Sequence, residues 1–185
     1  MIFIGGLSRH KGSRKQFRTG SAMRVVFLDR DGVINDNSKI QYVKDWDEFE
    51  FLPDTTKAIK YLNDNKIKVI LITNQSGINR GLLTHEKLDD IHRQMISELN
   101  DAGAHIDDIF YCPHRPDENC SCRKPRTGLL EQAGEKYNID FKDSWFIGDT
   151  ESDIETGKKV GCKTHLLKKG ETLFLVVRRI IEEWK

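Results

Sequence analysis

Residues 25–35 read VVFLDRDGVIN: four apolar residues run straight into two aspartates one position apart, and a glycine follows. A short, unbroken apolar run of this kind reads as a strand buried on both faces. Where the extended geometry persists past its end, Asp29 and Asp31 point the same way, about 6–7 Å apart, and Arg30 points elsewhere. Gly32 then lets the chain turn sharply. Aspartates are also common turn and cap residues. The pair alone is therefore a weak signal, and its weight depends on what the rest of the chain brings beside it.

From Met23 onward, apolar runs alternate with helical patterns. Strands are expected over 68–72, 109–111, 144–147 and 164–167, and helices over 55–63, 84–100, 128–137, 152–160 and 171–184. The second helix shows the period best. Leu88, Ile91, Met95 and Leu99 recur at helical spacing behind a capping Thr84. Strands separated by helices imply an α/β fold, a three-layer Rossmann-like parallel sheet with helices on both faces. Such sheets bind ligands beyond the carboxyl ends of their strands.

The composition suits that reading. The 185 residues are 37% hydrophobic and 32% charged, as expected of one globular domain. The apolar run at 173–177 falls far short of the roughly 18 residues of a membrane span. The formal charge of +1 hides five Lys/Arg and no acid within residues 1–22, so the remainder is acidic. An acidic body argues against nucleic acid as a partner, because phosphate contacts need a basic surface. Residues 1–22 have no clear period and are expected to be a non-native or disordered leader, with a single domain over 23–185. No secretory signal is seen, and a cytoplasmic monomer is expected.

The residues that follow each strand are polar in a repeated way. Asp29 and Asp31 follow the first strand and Thr73-Asn74-Gln75-Ser76-Gly77 the second. Arg123-Lys124-Pro125 precedes the third helix, and Gly148-Asp149-Thr150-Glu151-Ser152-Asp153 follows the fourth strand. Cys112, His114, Cys120 and Cys122 cluster just before Arg123. Without a secretory signal that spacing favours a metal site over disulfides, and a reducing compartment. Three thiolates and one imidazole make a closed tetrahedral donor set, as in structural Zn²⁺ sites. Loop 112–122 has little apolar content and needs such a staple to hold its shape. Cys162 reads as a small core residue.

FLDRDG, ITNQSG, RKP and IGDTESD together resemble, in order, the four motifs of the haloacid dehalogenase superfamily of phosphatases. The likeness covers essentially Met23 to the end of the chain. CPH…CxC ahead of RKP, with TNQSGINRG, resembles the zinc-containing group that holds the heptose-1,7-bisphosphate 7-phosphatases and histidinol-phosphate phosphatases. TNQSG-x-x-RG and FEFLP at 49–53 look closer to the heptose enzymes.

The resemblance implies a Mg²⁺-dependent phosphatase acting on a small sugar phosphate through an aspartyl-phosphate. Asp29 is then the nucleophile, and Asp31 the general acid and base with a raised pKa. Thr73 and Asn74 orient phosphoryl oxygens, and Lys124 neutralises them. Mg²⁺ lies among Asp29, the backbone carbonyl of Asp31 and Asp149, with Asp153 supporting its shell. Tyr42, Asn74, Gln75, Ser76, Arg123 and Lys124 are the expected substrate contacts. Asp149 is open to a second reading as a helix N-cap, and the spacing of the motifs leaves no room for a cap domain. The metal loop is short, as in the histidinol-phosphate enzymes, and Thr150 stands where the group often has a basic residue. Histidinol phosphate, a nucleic-acid 3′-phosphate and a silent phosphate-binding module remain the alternatives.

Overall fold

The computed structural model describes residues 23–185; the expected leader over residues 1–22 lies outside the described residues. Five parallel strands form one sheet: β1 (Val25–Leu28), β2 (Lys68–Asn74), β3 (Asp108–Cys112), β4 (Trp145–Gly148) and β5 (Lys163–Leu166). The order across the sheet is β3-β2-β1-β4-β5. The connecting helices are α1 (Thr55–Asp64), α2 (His85–Asp101), α3 (Gly128–Tyr137) and α4 (Glu151–Val160), and α5 (Leu173–Glu183) closes the chain. Each expected element is present, displaced by at most two residues at its ends.

Burial explains the sequence pattern. All four residues of β1 are fully buried, because side chains of successive residues enter different cores. Val26 and Leu28 pack with α1, the end of α2 and α5. Val25 and Phe27 pack with α3 and Phe146 on the other face. The chain winds outward from β1 to β3 and then returns to β4. Right-handed crossovers in opposite directions must use opposite faces, which gives three layers.

The return also decides where a ligand fits. β1 and β4 are neighbours whose connections leave in opposite directions, and at that switch point the carboxyl ends of the strands open a crevice. The ladder continues one residue past β1, where the Asp29 N–H donates to the Ile147 carbonyl at 3.0 Å. Asp29 and Asp149 are thus delivered side by side by backbone pairing. Between β1 and β2 the chain makes a loop tied at its base by Asp36 N–H to the Glu50 carbonyl (2.8 Å). Stacked Trp46 and Phe49, 4.8 Å apart, hold it down. It forms one rim of the crevice.

Helix α4 lies unusually close to the sheet. A Cβ on Gly157 would come within 2.6 Å of Thr164 and 3.0 Å of Phe146. Gly157→Ala is therefore expected to lower unfolding free energy by about 1–3 kcal/mol through overpacking, as measured by urea denaturation; an unchanged midpoint would show that α4 can shift at no cost.

Candidate active site

Asp29, Asp31, Asn37, Tyr42, Asn74, Ser76, Arg123, Lys124, Asp149, Ser152 and Asp153 are among the residues lining a cleft of about 340 Å³ at the carboxyl ends of β1 and β4. A larger hollow of about 600 Å³, between Lys44–Glu48 and the start of α2, has none of these carboxylates. Chemistry therefore points to the smaller one.

Its centre is a buried lysine among acids. Lys124 is 4% exposed. Its Nζ lies 2.8 Å from Asp29 Oδ1, 2.6 Å from Asp153 Oδ1 and 2.9 Å from the Ile72 carbonyl. An ammonium has three protons, and here three oxygens surround it. Burial would lower the lysine's pKa, but Asp29 and Asp153 outweigh it and raise it. The Asn74 side chain fixes the lysine backbone, accepting from Lys124 N–H (3.1 Å) and donating to its carbonyl (3.3 Å). Asn74 was expected to orient a phosphoryl group; in the structure its amide holds Lys124.

Burial pushes the Asp29 carboxyl up to about 7, against Lys124 and helped by Asp153 and Asp31. Its Oδ1 also accepts from the Arg30 N–H at 2.7 Å. Asp149 is raised by burial and by Asp153. Its Oδ2 accepts from Asn37 at 3.3 Å, whereas its Oδ1 is buried with no hydrogen-bond partner. Carboxylate oxygens of Asp29, Asp149 and Asp153 all lie within 4.8 Å of one another. Three clustered carboxylates, one with an orphaned oxygen, are a donor set suited to a hard cation. Gly32 makes the approach possible, since a Cβ there would lie 2.0 Å from Asp149 Oδ2, and its φ is +85°. Asp149 is not the N-cap of α4. That position is Thr150, whose N–H and hydroxyl donate to Asp153 at 3.1 and 2.7 Å.

Asp31 departs from expectation. Burial would raise its pKa, but Arg30 overrides this and, with Asn35 and Gln75, holds it below the usual carboxylate range. Arg30 does not point away. The strand ends at Leu28, and the backbone turns so that the Arg30 carbonyl accepts from the Ile34 N–H at 2.7 Å. The guanidinium then reaches back to Asp31, Nη2 lying 2.8 and 3.0 Å from the two carboxylate oxygens and Nε 3.2 Å from Oδ1. Asn35 and Gln75 also donate to Asp31, at 3.1 and 2.8 Å. Gln75, expected as a substrate contact, is 3% exposed and belongs to this network. Thr73 is fully buried and off the cleft wall, its hydroxyl accepting from Gln75 at 3.0 Å. Sequence reasoning missed Arg30, Asn35 and His92 because strand alternation and helix periodicity do not reveal a buried polar contact.

Cys112, His114, Cys120 and Cys122 place their ligand atoms within 4.8 Å of one another. The separations given by close contacts are 3.2–3.6 Å. A tetrahedron with bonds of about 2.1–2.3 Å has edges of roughly 3.4–3.8 Å, so the cluster can hold a metal ion. The loop is tied to the segment after β2 by Asn79, which donates to Glu118 at 2.9 and 3.1 Å. Arg123, on the cleft wall, donates to the His114 carbonyl at 3.1 Å. Tyr42, opposite, places its hydroxyl 3.4 Å from that of Ser76.

A family model described as HAD-hydrolase-like matches residues 121–174. The D-glycero-beta-D-manno-heptose-1,7-bisphosphate 7-phosphatase of Pseudomonas aeruginosa is 40% identical over 147 residues, spanning 80% of this chain and 82% of that protein. The chain belongs to this family of HAD-type phosphatases. The D-glycero-alpha-D-manno-heptose-1,7-bisphosphate 7-phosphatase of Photorhabdus laumondii is 38% identical over 156 residues, 80% of this chain and 84% of its own length. The crystal structure of D,D-heptose 1,7-bisphosphate phosphatase from B. bronchiseptica, complexed with magnesium and phosphate, is 35% identical with a TM-score of 0.81. That likeness covers 87% of this chain and 99% of the other. Among the described residues of this family member, no helix is long and apolar enough to cross a membrane.

Removing Lys124 leaves buried carboxylates without their counter-charge. In chelator-treated protein Lys124→Met is expected to cost about 3 kcal/mol or more of stability by urea denaturation; a loss below about 1 kcal/mol would contradict the central place given to this lysine.

Proposed function

We propose that this protein is a Mg²⁺-dependent phosphatase that hydrolyses the 7-phosphate of D-glycero-D-manno-heptose 1,7-bisphosphate through an aspartyl-phosphate. The observation that carries the reading is Asp29, held by Lys124 in a cleft shared with Asp149 and Asp153, in a chain 38–40% identical to named heptose-bisphosphate phosphatases.

Lys124 and the Arg30 N–H converge on Asp29 Oδ1, which leaves Oδ2 to attack phosphorus. As the Oδ2–P bond forms, the ester P–O bond breaks, and Asp31 gives a proton to the departing sugar oxygen. Water then attacks phosphorus, Asp31 takes its proton, and the Asp29–phosphate bond breaks to release inorganic phosphate. Arg30 favours the ionised form of Asp31, which suits the second step; negative charge arriving with the substrate favours protonation for the first. Asp29, Asp149 and the Asp31 carbonyl would hold Mg²⁺, with Asp153 beside them. When bound, the ion neutralises charge on the transferring phosphoryl group. Lys124 supplies further positive charge from the protein. Ser76 and the remaining amide proton of Asn74, on the cleft wall, would meet the phosphoryl oxygens, with Thr73 behind them. Arg123 and Tyr42, also on the cleft wall, would meet the sugar and its second phosphate.

Cys112, His114, Cys120 and Cys122 would hold structural Zn²⁺, which supplies ordering free energy to a loop without a core of its own. Its closure fixes Arg123 and Lys124, which follow the last ligand directly.

Phosphate release is expected to be fastest from the heptose bisphosphates, with both anomers assayed, and to need added Mg²⁺ after chelation. Asp29→Asn should lower it by about 10³-fold or more. Equal turnover of histidinol phosphate or a 3′-phosphorylated oligonucleotide would overturn the substrate assignment, and undiminished activity in Asp29→Asn would overturn the nucleophile. Elemental analysis should find zinc near one per chain in protein purified without chelator, and Cys122→Ser should lower both zinc content and thermal midpoint. Absence of zinc from the intact protein would remove the staple.

A further inference from the structure

Behind Asp31 lies a polar network that the proposed reaction does not use. Arg30 is 1% exposed, among the largest fully buried side chains. A buried guanidinium is costly unless its donors are met. One edge meets Asp31. Beyond it, Nη2 donates to Gln75 Oε1 at 3.3 Å and Nη1 lies 3.3 Å from His92 Nε2. A guanidinium only donates, so His92 must present a lone pair there and carry its proton on Nδ1. The ring is neutral, its pKa lowered to about 3 by burial and then by Arg30. His92 comes from α2, an element that contributes nothing to the cleft wall.

We infer that His92, acting through Arg30, and Gln75, acting through Arg30 and by its own bond to Asp31, are positioning residues that fix the carboxylate of Asp31 for proton transfer. Asp31 keeps about a quarter of its side chain exposed, 27%, so cleft packing alone does not fix its rotation. The planar fork of Arg30 does, with Asn35 and Gln75 beside it, because Nε and Nη2 together reach both carboxylate oxygens. The fork is itself held only if its far edge finds acceptors. Without His92, Nη1 is buried and unmet, the guanidinium moves toward water, and Asp31 moves with it. Displacement of a reacting group by about 1 Å is enough to slow catalysis by as much as 10²-fold.

The inference rests on the proposed role of Asp31, and the test separates the two. His92→Leu keeps the volume and removes the acceptor; His92→Gln restores an acceptor. On heptose bisphosphate, His92→Leu is expected to lower kcat about tenfold with KM within about twofold, and His92→Gln to recover kcat to within about threefold. On p-nitrophenyl phosphate, whose leaving group scarcely needs a proton, the single-turnover burst of His92→Leu should stay within about twofold of wild type. If both reactions fall together, or the loss lies in KM, or kcat is unchanged, the positioning role is overturned while the phosphatase reading stands. A wild-type protein without burst or turnover would overturn both. Should His92→Leu not fold, His92→Phe must show the same split between the two substrates, and equal loss on both would refute the inference.

Discussion

The site depends on one buried ammonium. Lys124 sits between Asp29 and Asp153 with its third proton on the Ile72 carbonyl, in a region where burial alone would drive Lys124 and Asp29 toward neutrality. Three aspartates close enough to share a cation outnumber the single lysine among them. The remaining negative charge is a standing demand for a further positive one, and the unmatched Asp149 Oδ1 shows where it belongs. The protein thus holds its carboxylates in a state that only a cation completes.

The position of that lysine depends in turn on two distant parts of the chain. Asn74, at the end of β2, pairs with both backbone groups of Lys124. On the other side Lys124 follows Cys122 by two residues, so the Cys/His cluster sets where the chain arrives. Arg123 is bonded back to the same loop at the His114 carbonyl. The polar loop leads straight into two residues of the cleft wall, Arg123 and Lys124, and cannot be treated as a separate appendage.

The architecture was legible in the sequence because it is written in hydrophobic period: β1 as an unbroken apolar run, α2 as Leu88, Ile91, Met95 and Leu99. The sheet order was not, since periodicity carries no information on which strands are neighbours; the handedness of crossovers restricts it. The acids at the strand ends were visible because several strand ends carry polar residues in a repeated pattern, which one turn alone would not explain. Their electrostatics were not. Alternation places Arg30 opposite Asp29 and Asp31, but alternation lapses where the strand ends, and the turn brings Arg30 into the same network. Gln75 and Thr73 lie off the cleft wall, which the sequence could not show for a related reason: adjacency to a strand end does not say whether a side chain faces the cleft or lies beneath it. Among the expected contacts, Tyr42, Asn74, Ser76, Arg123 and Lys124 line the cleft. Asn74 meets the Lys124 backbone because an amide offers both a donor and an acceptor to one peptide unit.

The strand order has a further consequence for synthesis. β1 is central in the finished sheet, but its neighbour β4 begins only at Trp145. While the chain emerges from the ribosome, β1 to β3 can pair first. They leave Val25–Leu28, wholly apolar, as an open edge along which another chain can add. Asp149 and Asp153 arrive with the strand that closes that edge, so a nascent or truncated chain that stops short of β4 lacks half of the crevice acids and is at the same time adhesive.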